Sequence, residues 1–393
     1  MLTDQTAATE PRRVVLVGSS LFGSRAIKRL GMSYLLVCDP EEDPHLAIAD
    51  AERMVRVPYR SDPKALLDLP RPSNVQAVMS FTEYGLQPAS DLAEAWSVAG
   101  VPAVAVRASR DKLLMRERLA AIGDALPAGS VRDAGDVPAV HYPVIVKPVD
   151  GVAGVGVRHV SDSRELKEIL ATATEPLMWE RYMTGVELSV ETVSVNGQHH
   201  VLGITQKITT GRPNFVERGH LTPAPLSRGE AARVTECVAR CLDAIGLTMG
   251  PAHTEVILGT DEAFVIETHT RPGGGRIPLI TEFSAGVDQY ESAVRALCGI
   301  SLADIPEPIG AAGVEFLESP PGILVDITGV DEARRLGGVV EVAIDTVIGD
   351  HRKQWESNLD RSGFVVARGA NLNEVRENIA AAVRTISFEV SPD

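Results

Sequence analysis

The sequence predicts a mixed α/β fold that begins with a parallel sheet. Short apolar runs at residues 14–17, 34–38 and 75–81 have the length and composition of buried strands, and helical patterns follow at about 23–30 and 88–99. Alternating strands and helices of this kind are typical of a parallel sheet covered by helices. The length of 393 residues allows two or three domains of ordinary size.

The middle of the chain is predicted to mix strands with a few helices. The predicted elements are a helix at 109–122, a strand at 142–149, a β-rich run reaching residue 210 and a long helix at about 228–245. Ser227 and Glu230 have the spacing of a capping box for the long helix. Asn196-Gly197 lies between two alternating runs and predicts a hairpin. Further strands and a helix are expected up to residue 299.

A break at Pro306-Glu307-Pro308 precedes a C-terminal part that again mixes both kinds of element. Short strands are predicted at 322–327, 339–344 and 364–367, and an amphipathic helix at 373–386. No residue of this part is expected to be catalytic.

Composition and charge exclude several classes of partner. The formal net charge is −15, which argues against binding to nucleic acid or to an anionic membrane surface. Residues 1–13 are polar and contain acids, so they predict neither a secretion signal nor a membrane anchor. The four cysteines lack the spacing of a zinc ribbon, which favours a reduced compartment. We therefore expect a cytoplasmic protein.

The turn from Gly18 to Gly23 follows a strand and opens a helix, as in dinucleotide-binding folds. It lacks the middle glycine that allows the backbone to approach a pyrophosphate. An ordinary strand-to-helix turn is therefore the favoured interpretation.

A glycine-rich turn after Lys147 is the first candidate site. A predicted strand delivers the lysine, and Gly151, Gly154 and Gly156 follow before a second strand. Several backbone N–H groups exposed together form a site for anions, to which a lysine adds a positive charge. The pattern predicts a movable flap over phosphates, whereas a hairpin with an incidental lysine is the alternative for this segment taken alone.

The predicted hairpin at 252–271 carries the second candidate site. With Asp261 at the centre of the turn, Glu255 and Glu267 lie opposite each other with their Cβ atoms about 5 Å apart. The period of two places His253, His269 and Arg271 on the same face and Phe264 and Ile266 on the other. Paired carboxylates suit Mg²⁺, which prefers oxygen ligands together with phosphate. The alternatives are a solvated hairpin face and a zinc or manganese site that uses the histidines.

A second glycine-rich turn, from Pro272 to Arg276, continues this face. An arginine such as Arg271 beside a magnesium–phosphate site can hold a transferring phosphoryl group or the oxyanion of a tetrahedral intermediate.

With these motifs in order, the sequence from about residue 12 to the C-terminus resembles the ATP-grasp superfamily and, within it, the L-amino-acid ligases that make dipeptides. The resemblance implies an N-terminal Rossmann-like parallel-sheet domain at 1–110, an ATP-grasp domain at 111–310 with a flap subdomain at about 141–185, and a C-terminal α+β subdomain at 311–393. It also implies ATP and Mg²⁺ as cofactors, with Mn²⁺ as an alternative, and suggests a homodimer.

The resemblance assigns a role to individual residues. It implies that ATP phosphates contact Lys112 and Lys147, that the hinge carrying adenine is Glu180-Arg181-Tyr182-Met183, and that the ribose is held by Glu187. Glu255 and Glu267 correspond to the magnesium ligands, and Arg271 to the catalytic arginine. Amino-acid substrates are expected to contact Glu83, Glu217, His220 and Gly274, and His220 is also expected to be catalytic, with His220 or Glu217 orienting the amine or accepting its proton. Taken alone, Glu180 and Glu187 would be ordinary exposed acids.

Two departures from the family pattern are visible. His269 occupies the position of the third magnesium ligand, which is usually an asparagine. The flap usually carries a serine near its middle, where Val152, Ala153 and Val155 stand here, so its phosphate contacts would come from backbone N–H groups.

The implied reaction joins a small-molecule carboxylate to an amine through an acylphosphate, with release of ADP and phosphate. Glu83 and Glu217 suggest that one substrate carries an amino group, because a buried acid pairs well with an ammonium. The alternatives are a bicarbonate-activating carboxylase of the same fold and a non-catalytic ATP-binding module. A NAD-dependent oxidoreductase is disfavoured by the incomplete glycine pattern.

Overall fold

The computed structural model of the protein describes residues 12–123, 126–151, 154–212, 215–305 and 307–391. Val152 and Ala153 of the predicted flap, Pro306 of the predicted break, and the first eleven residues lie outside the described residues.

The N-terminal part is a parallel sheet, as predicted, and the sheet has four strands. Its strands are β1 (Arg13–Val17), β2 (Ser33–Cys38), β3 (Arg53–Arg56) and β4 (Val75–Ser80), in the order β3-β2-β1-β4. The accompanying helices are α1 (Leu21–Arg29), α2 (Leu86–Trp96) and α3 (Ala103–Arg110). Strand β3 was not predicted, because two of its four residues are charged and none is fully buried.

The predicted helix at 109–122 is wrong in one respect, because a break at Asp111 divides the segment. Helix α3 ends there and α4 (Lys112–Ala121) begins. The Asp111 carboxylate accepts hydrogen bonds from the backbone N–H groups of Leu113 and Leu114, both at 3.0 Å. An aspartate in this position satisfies N–H groups that have no partner within the helix. The cap places Lys112 at the first residue of α4.

A small antiparallel sheet follows and contains the glycine-rich turn. Its elements are β5 (Ala128–Val131), β6 (Val144–Pro148), β7 (Arg158–Val160), α5 (Ser163–Leu170) and β8 (Leu177–Arg181), with strand order β5-β8-β6-β7. The turn joins β6 to β7, two antiparallel strands, as predicted. Helix α5 was not predicted, since it is short and buries only Leu166 fully.

An eight-stranded antiparallel sheet forms the main body and includes strands from both later parts of the chain. Its order is β13-β12-β9-β10-β11-β14-β18-β16. The strands are β9 (Val186–Val195), β10 (Gln198–Thr209), β11 (Glu217–Thr222), β12 (Gly250–Leu258), β13 (Ala263–His269), β14 (Ala311–Leu317), β16 (Val339–Ile344) and β18 (Gly363–Gly369). The predicted boundary at residue 310 therefore falls between paired strands of one sheet, β11 and β14.

The remaining elements surround this sheet. They are α6 (Arg228–Ile245), α7 (Ile277–Ala285), α8 (Gln289–Leu297), β15 (Gly322–Thr328), α9 (Val330–Arg334), β17 (His351–Arg352), α10 (Leu372–Thr385) and β19 (Ser387–Ser391). Strands β17, β15 and β19 form a separate small sheet. None of the helices in the described ranges is long and apolar enough to cross a membrane.

Helix α6 shows how closely the sequence can predict an element. Its bounds and the capping box between Ser227 and Glu230 are as predicted. Val234, Val238 and Leu242 on the predicted stripe are fully buried, where α6 packs against β12 and β13. Helix α6 thus covers one face of the β12–β13 hairpin, and the other face of the hairpin is towards the small sheet.

Candidate active site

A deep cavity of about 1100 Å³, including its open mouth, lies between the small sheet and the β12–β13 hairpin. Most of the predicted nucleotide and metal residues line it. They are Lys112, Lys147, Gly151, Gly154, Glu180, Arg181, Tyr182, Met183, Glu187, Glu255 and Glu267. The fold therefore brings together residues that span about 155 positions of sequence (112 to 267). Gly156 turns the chain back towards Pro148 with a φ of 76°.

The predicted pairing of Glu255 with Glu267 is present. The two residues are opposite each other in the β12–β13 ladder, and so are His253 and His269. The ladder shifts register just beyond Glu255, where Val256 pairs with Val265 and leaves Ile266 without a partner. Such a β-bulge inserts one extra residue into a strand and re-aims the side chains beyond it.

The bulge corrects one prediction about this hairpin. Phe264 and Ile266 were expected on the face opposite Glu267, but both line the cavity together with it. Val256 and Val265 instead lie in the hydrophobic core, fully buried. The hairpin thus supplies carboxylates to the cavity at one end and apolar surface at the other.

Each of the two opposed carboxylates has its own cation. Lys112 Nζ lies 3.3 Å from Glu267, and Lys207 Nζ lies 2.6 Å from Glu255. Burial alone would raise the pKa of both acids, but Lys112 holds the pKa of Glu267 well below its usual range. Lys207 and His253 lower the pKa of Glu255 in the same way. Both side chains are therefore ionised at neutral pH.

His253 is held by a buried acid that the sequence analysis missed. Its Nδ1 lies 2.5 Å from Glu191 and its Nε2 lies 3.4 Å from Glu255. Burial would lower the pKa of His253, but these carboxylates outweigh it and raise the pKa to about 9. Both ring nitrogens of His253 therefore already have carboxylate partners. The zinc or manganese alternative therefore gains no support from His253.

Lys147 is fixed by a buried network that includes Arg116. Glu180 is 4% exposed and accepts from Lys147 at 2.6 Å and from Arg116 at 2.9 Å. The two cations outweigh the effect of burial and lower the pKa of Glu180. The interpretation of Glu180 as an ordinary exposed acid is wrong. Arg116 also donates to the carbonyl groups of Val265 and Ile266 and so ties the hinge strand to the bulge.

Lys207 is the main site residue that the sequence analysis missed. Its buried ammonium lies 3.1 Å from Glu187, 3.0 Å from Glu217 and 2.6 Å from Glu255. Burial opposes the charge, but the three acids raise the pKa of Lys207 well above its usual value. The sequence offered one signal, a lysine inside the predicted β-rich run that reaches residue 210, because a lysine buried within a sheet needs acidic partners.

Of the predicted substrate residues, Glu217 lines the cavity, whereas His220 is buried beside Glu217 and is not part of the lining. His220 is fully buried, neither ring nitrogen has a hydrogen-bond partner among the described residues, and Nε2 is 3.7 Å from Glu217. Burial lowers the pKa of His220 to about 4 although Glu217 opposes the shift. The ring is therefore neutral at pH 7, and its unprotonated nitrogen can accept a hydrogen bond.

The C-terminal part contributes directly to the site around Glu217. Arg361 Nη2 donates to Glu217 at 2.5 Å, and Asn358 lines the cavity and accepts from the Glu217 backbone N–H at 3.0 Å. Residues 311–393 were expected to hold no catalytic residue, and they nevertheless supply Asn358 to the cavity wall and Arg361 as a partner of Glu217. The signal was absent from the sequence, because neither residue belongs to a motif.

Arg271 and Glu83 join the N-terminal sheet to the site. Arg271 Nε donates to Glu83 at 2.7 Å, and His269 Nδ1 lies 3.5 Å from the same carboxylate oxygen. Burial would raise the pKa of Glu83, but His269 and Arg271 lower it to about 2. Glu83 follows β4, at the carboxyl edge of the parallel sheet where such folds place functional residues.

Comparison with known proteins agrees with this arrangement. Residues 140–279 match the family model of the ATP-grasp domain, and residues 315–391 match that of the L-amino acid ligase C-terminal domain 2. The crystal structure of an L-amino acid ligase from Bacillus licheniformis has a TM-score of 0.84 at 25% identity, covering 98% of this chain and 100% of that chain. Residues 140–279 are therefore an ATP-grasp domain.

Two proteins of similar sequence show how much of the chain the sequence similarity covers. An uncharacterised protein of Sinorhizobium fredii is 29% identical over 301 residues, which are 72% of this chain and 61% of that protein. A D-alanine–D-alanine ligase of Flavobacterium psychrophilum is 29% identical over 158 residues, which are 38% of this chain and 48% of that enzyme. The matches thus span only about half to three fifths of the length of these curated relatives.

The donor set of this ATP-grasp site suits a magnesium ion that arrives with phosphates. In the described part of the chain, no group of three or more His, Cys, Asp and Glu side chains is arranged to hold a metal ion by itself. Glu255 and Glu267 supply two opposed, ionised carboxylates beside Lys112 and Lys147. Mg²⁺ is commonly bound by one or two carboxylates with substrate phosphates completing its shell. The residues present therefore fit the ion.

Proposed function

We propose that the protein is an ATP-dependent carboxylate–amine ligase that forms an amide or peptide bond between amino-acid-like substrates. ATP phosphorylates the carboxylate to an acylphosphate, and the amine then displaces phosphate. The observation that carries the proposal is the opposed pair Glu255 and Glu267 in one cavity with Lys112 and Lys147. Cytoplasmic location and a homodimer stay predictions.

The cavity offers each portion of ATP a suitable surface. The backbone from Glu180 to Met183, at the end of β8 and directly after it, would bind adenine beside the apolar side chains of Phe264 and Ile266. Glu187 would accept hydrogen bonds from the ribose hydroxyls. Lys112 and Lys147 would neutralise the phosphates, with backbone N–H groups of the glycine-rich turn above them. Lys112 already reaches this turn, since its Nζ donates to the Gly151 carbonyl at 2.7 Å.

Glu255 and Glu267 would hold the magnesium ion, which when bound offsets the negative charge of the phosphates. Phosphoryl transfer depends on positioning and on neutralising charge more than on covalent help from the protein. In this step the substrate carboxylate oxygen forms a bond to the γ-phosphorus, and the bond from that phosphorus to ADP breaks.

The second step needs groups for an amine and an oxyanion. The amine nitrogen forms the C–N bond, the bond from carbon to phosphate breaks, and the amine gives up a proton. Arg271 would stabilise the negative oxygen of the tetrahedral intermediate. Glu217 lines the cavity and the neutral His220 lies 3.7 Å from it, so His220 or Glu217 would orient the amine. Because the pKa values of both side chains are lowered, the proton of the amine would pass to the released phosphate.

Two assays on the purified protein test the proposal. ADP release is measured with magnesium, ATP and pairs of amino acids, and hydroxylamine is added with each acid to trap the acylphosphate as a hydroxamate. We expect ADP release that depends on both an acid and an amine, with hydroxamate formed from the same acid. ADP release that requires only bicarbonate would instead indicate a carboxylase-type reaction. ATP that binds but is never consumed across the panel would indicate a binding module.

A further inference from the structure

A second cavity lies beside the proposed nucleotide site. It measures about 1030 Å³ including its open mouth, and its lining includes Gly274, Arg276, Tyr290, Phe316 and Arg361. It therefore combines the glycine-rich loop after Arg271 with residues from the C-terminal part. Gly274, which the sequence analysis assigned to a substrate, is in its wall.

Arg361 is the side chain that connects the two cavities. Its Nη2 donates to Glu217 at 2.5 Å, and Glu217 lines the first cavity whereas Arg361 lines the second. Glu217 is in turn 3.0 Å from Lys207, which reaches Glu255. A group bound at Arg361 would thus be connected to the proposed magnesium ligand Glu255 through three successive ion pairs.

Most of the hydrogen-bonding capacity of Arg361 is unused. A guanidinium has five N–H donors in a planar fork, and here only Nη2 donates to a described residue. Nε is buried without a hydrogen-bond acceptor in the described ranges. The guanidinium stacks over the Phe316 ring, with Cζ 3.4 Å from the ring centroid, which fixes its plane.

Acidic side chains also line the second cavity, but in the described ranges none of them accepts a hydrogen bond from Arg361. Besides Glu217, Asp345 is the acid whose negative charge raises the pKa of Arg361. Asp345 is exposed to solvent. Glu282 has Asp288, Arg29 and Glu291 as its charged neighbours. Glu282 and Asp288 therefore belong to another part of the cavity wall, and the Arg361 end suits a negative group.

We propose that Arg361 binds a free carboxylate of a substrate in the second cavity. Two parallel N–H groups of a guanidinium match the two oxygens of a carboxylate in geometry as well as charge. This inference rests on the proposed ligase function. The carboxylate is either the one that becomes phosphorylated or the unreacting carboxylate of an amino acid that serves as the amine.

Kinetics of the Arg361→Gln variant distinguish these two sources. The variant is assayed with an amino acid as the amine, with the carboxamide of that amino acid, and with hydroxylamine, which has no carboxylate. If the amine substrate supplies the carboxylate, KM rises about tenfold or more for the amino acid and stays unchanged for its carboxamide. If the activated acid supplies it, KM for the acid rises in the hydroxylamine reaction as well.

Arg218→Gln is the matched control, because Arg218 is next to Glu217 in sequence but pairs with Glu318 at the surface. We expect wild-type KM values for it. Arg361→Lys keeps a positive charge beside Glu217 but lacks the planar fork, so we expect only partial recovery. Unchanged KM values in Arg361→Gln, or full recovery in Arg361→Lys, would overturn the inference.

Calorimetric titration tests whether Arg361 binds a carboxylate independently of the proposed ligase function. The amino acid and its carboxamide are titrated into the wild-type protein and into Arg361→Gln, with no turnover required. Tighter binding of the carboxylate form to the wild-type protein alone supports the role of Arg361 even where no ADP is released. Equal binding of both forms to the wild-type protein contradicts it.

Discussion

The Glu267→Gln variant is expected to lose ADP formation while remaining folded, with a lower melting temperature because the buried Lys112 loses its carboxylate partner. Glutamine keeps the shape of the side chain and removes the charge that faces Glu255 and Lys112. A magnesium ion would lose one of its two protein carboxylates, and charge stabilisation by a metal ion contributes several kcal/mol to such a transition state. We expect the rate of ADP release to fall about 10²–10³-fold.

Glu262→Gln is the control for this variant, because Glu262 lies in the exposed turn of the same hairpin. It should retain wild-type activity. Thermal unfolding of both variants shows whether the fold is retained. Near-normal turnover by a folded Glu267→Gln protein would remove the metal assignment.

The Arg271→Ala variant should bind ATP normally and fail to form product. Arg271 is outside the nucleotide cavity lining and is held by Glu83 at 2.7 Å, so the nucleotide site is expected to keep its shape. Loss of a group that stabilises an oxyanion typically costs about 10²–10³ in rate. Equilibrium binding of a non-hydrolysable ATP analogue and the rate of amide formation are measured on the same preparation.

Arg295→Ala provides a comparison, since Arg295 forms an i,i+4 pair with Glu291 on α8, away from the carboxylate pair. Its product formation should equal that of the wild-type protein. Full activity in Arg271→Ala would refute the catalytic role of Arg271. Loss of ATP binding together with activity would show that Arg271 acts on the nucleotide site as a whole.

Local sequence patterns predicted the structure correctly where the residues that determine it belong to one element or to neighbouring elements. The parallel sheet follows from apolar runs that alternate with helices, and α6 follows from its capping box and its buried stripe. The opposition of Glu255 and Glu267 follows from counting outward from one turn. In each instance the residues that interact are close in sequence, so periodicity and turn chemistry determine the outcome.

Other features depend on contacts between distant parts of the chain. Arg116 and Glu180 are 64 residues apart, and Glu217 and Arg361 are 144 apart, so neither pair leaves a spacing that a sequence pattern can show. Lys207 gains its significance only when three acids from separate strands meet around it. The bulge at Ile266 adds a residue to one strand without any glycine or proline to mark it. For these reasons the predicted directions of Phe264 and Ile266 were wrong.

The buried charges explain how such a site stays folded before any substrate binds. Glu180, Glu255 and Glu267 each face a lysine or arginine within hydrogen-bond or ion-pair distance. Removing one member of a buried pair leaves an uncompensated charge, which is far more costly than the pair itself. The ionic partners therefore hold the carboxylates ionised and in place, ready for a divalent cation and phosphates.

The central claim is that ATP transfers its γ-phosphoryl group to an oxygen of the substrate carboxylate. The most direct measurement uses an acid labelled with ¹⁸O in its carboxylate, followed by mass spectrometry of the phosphate released during amide formation. Each phosphate is expected to contain one oxygen from the carboxylate, because the bond to carbon breaks when the amine attacks. Phosphate that carries no ¹⁸O would contradict an acylphosphate and with it the proposed reaction.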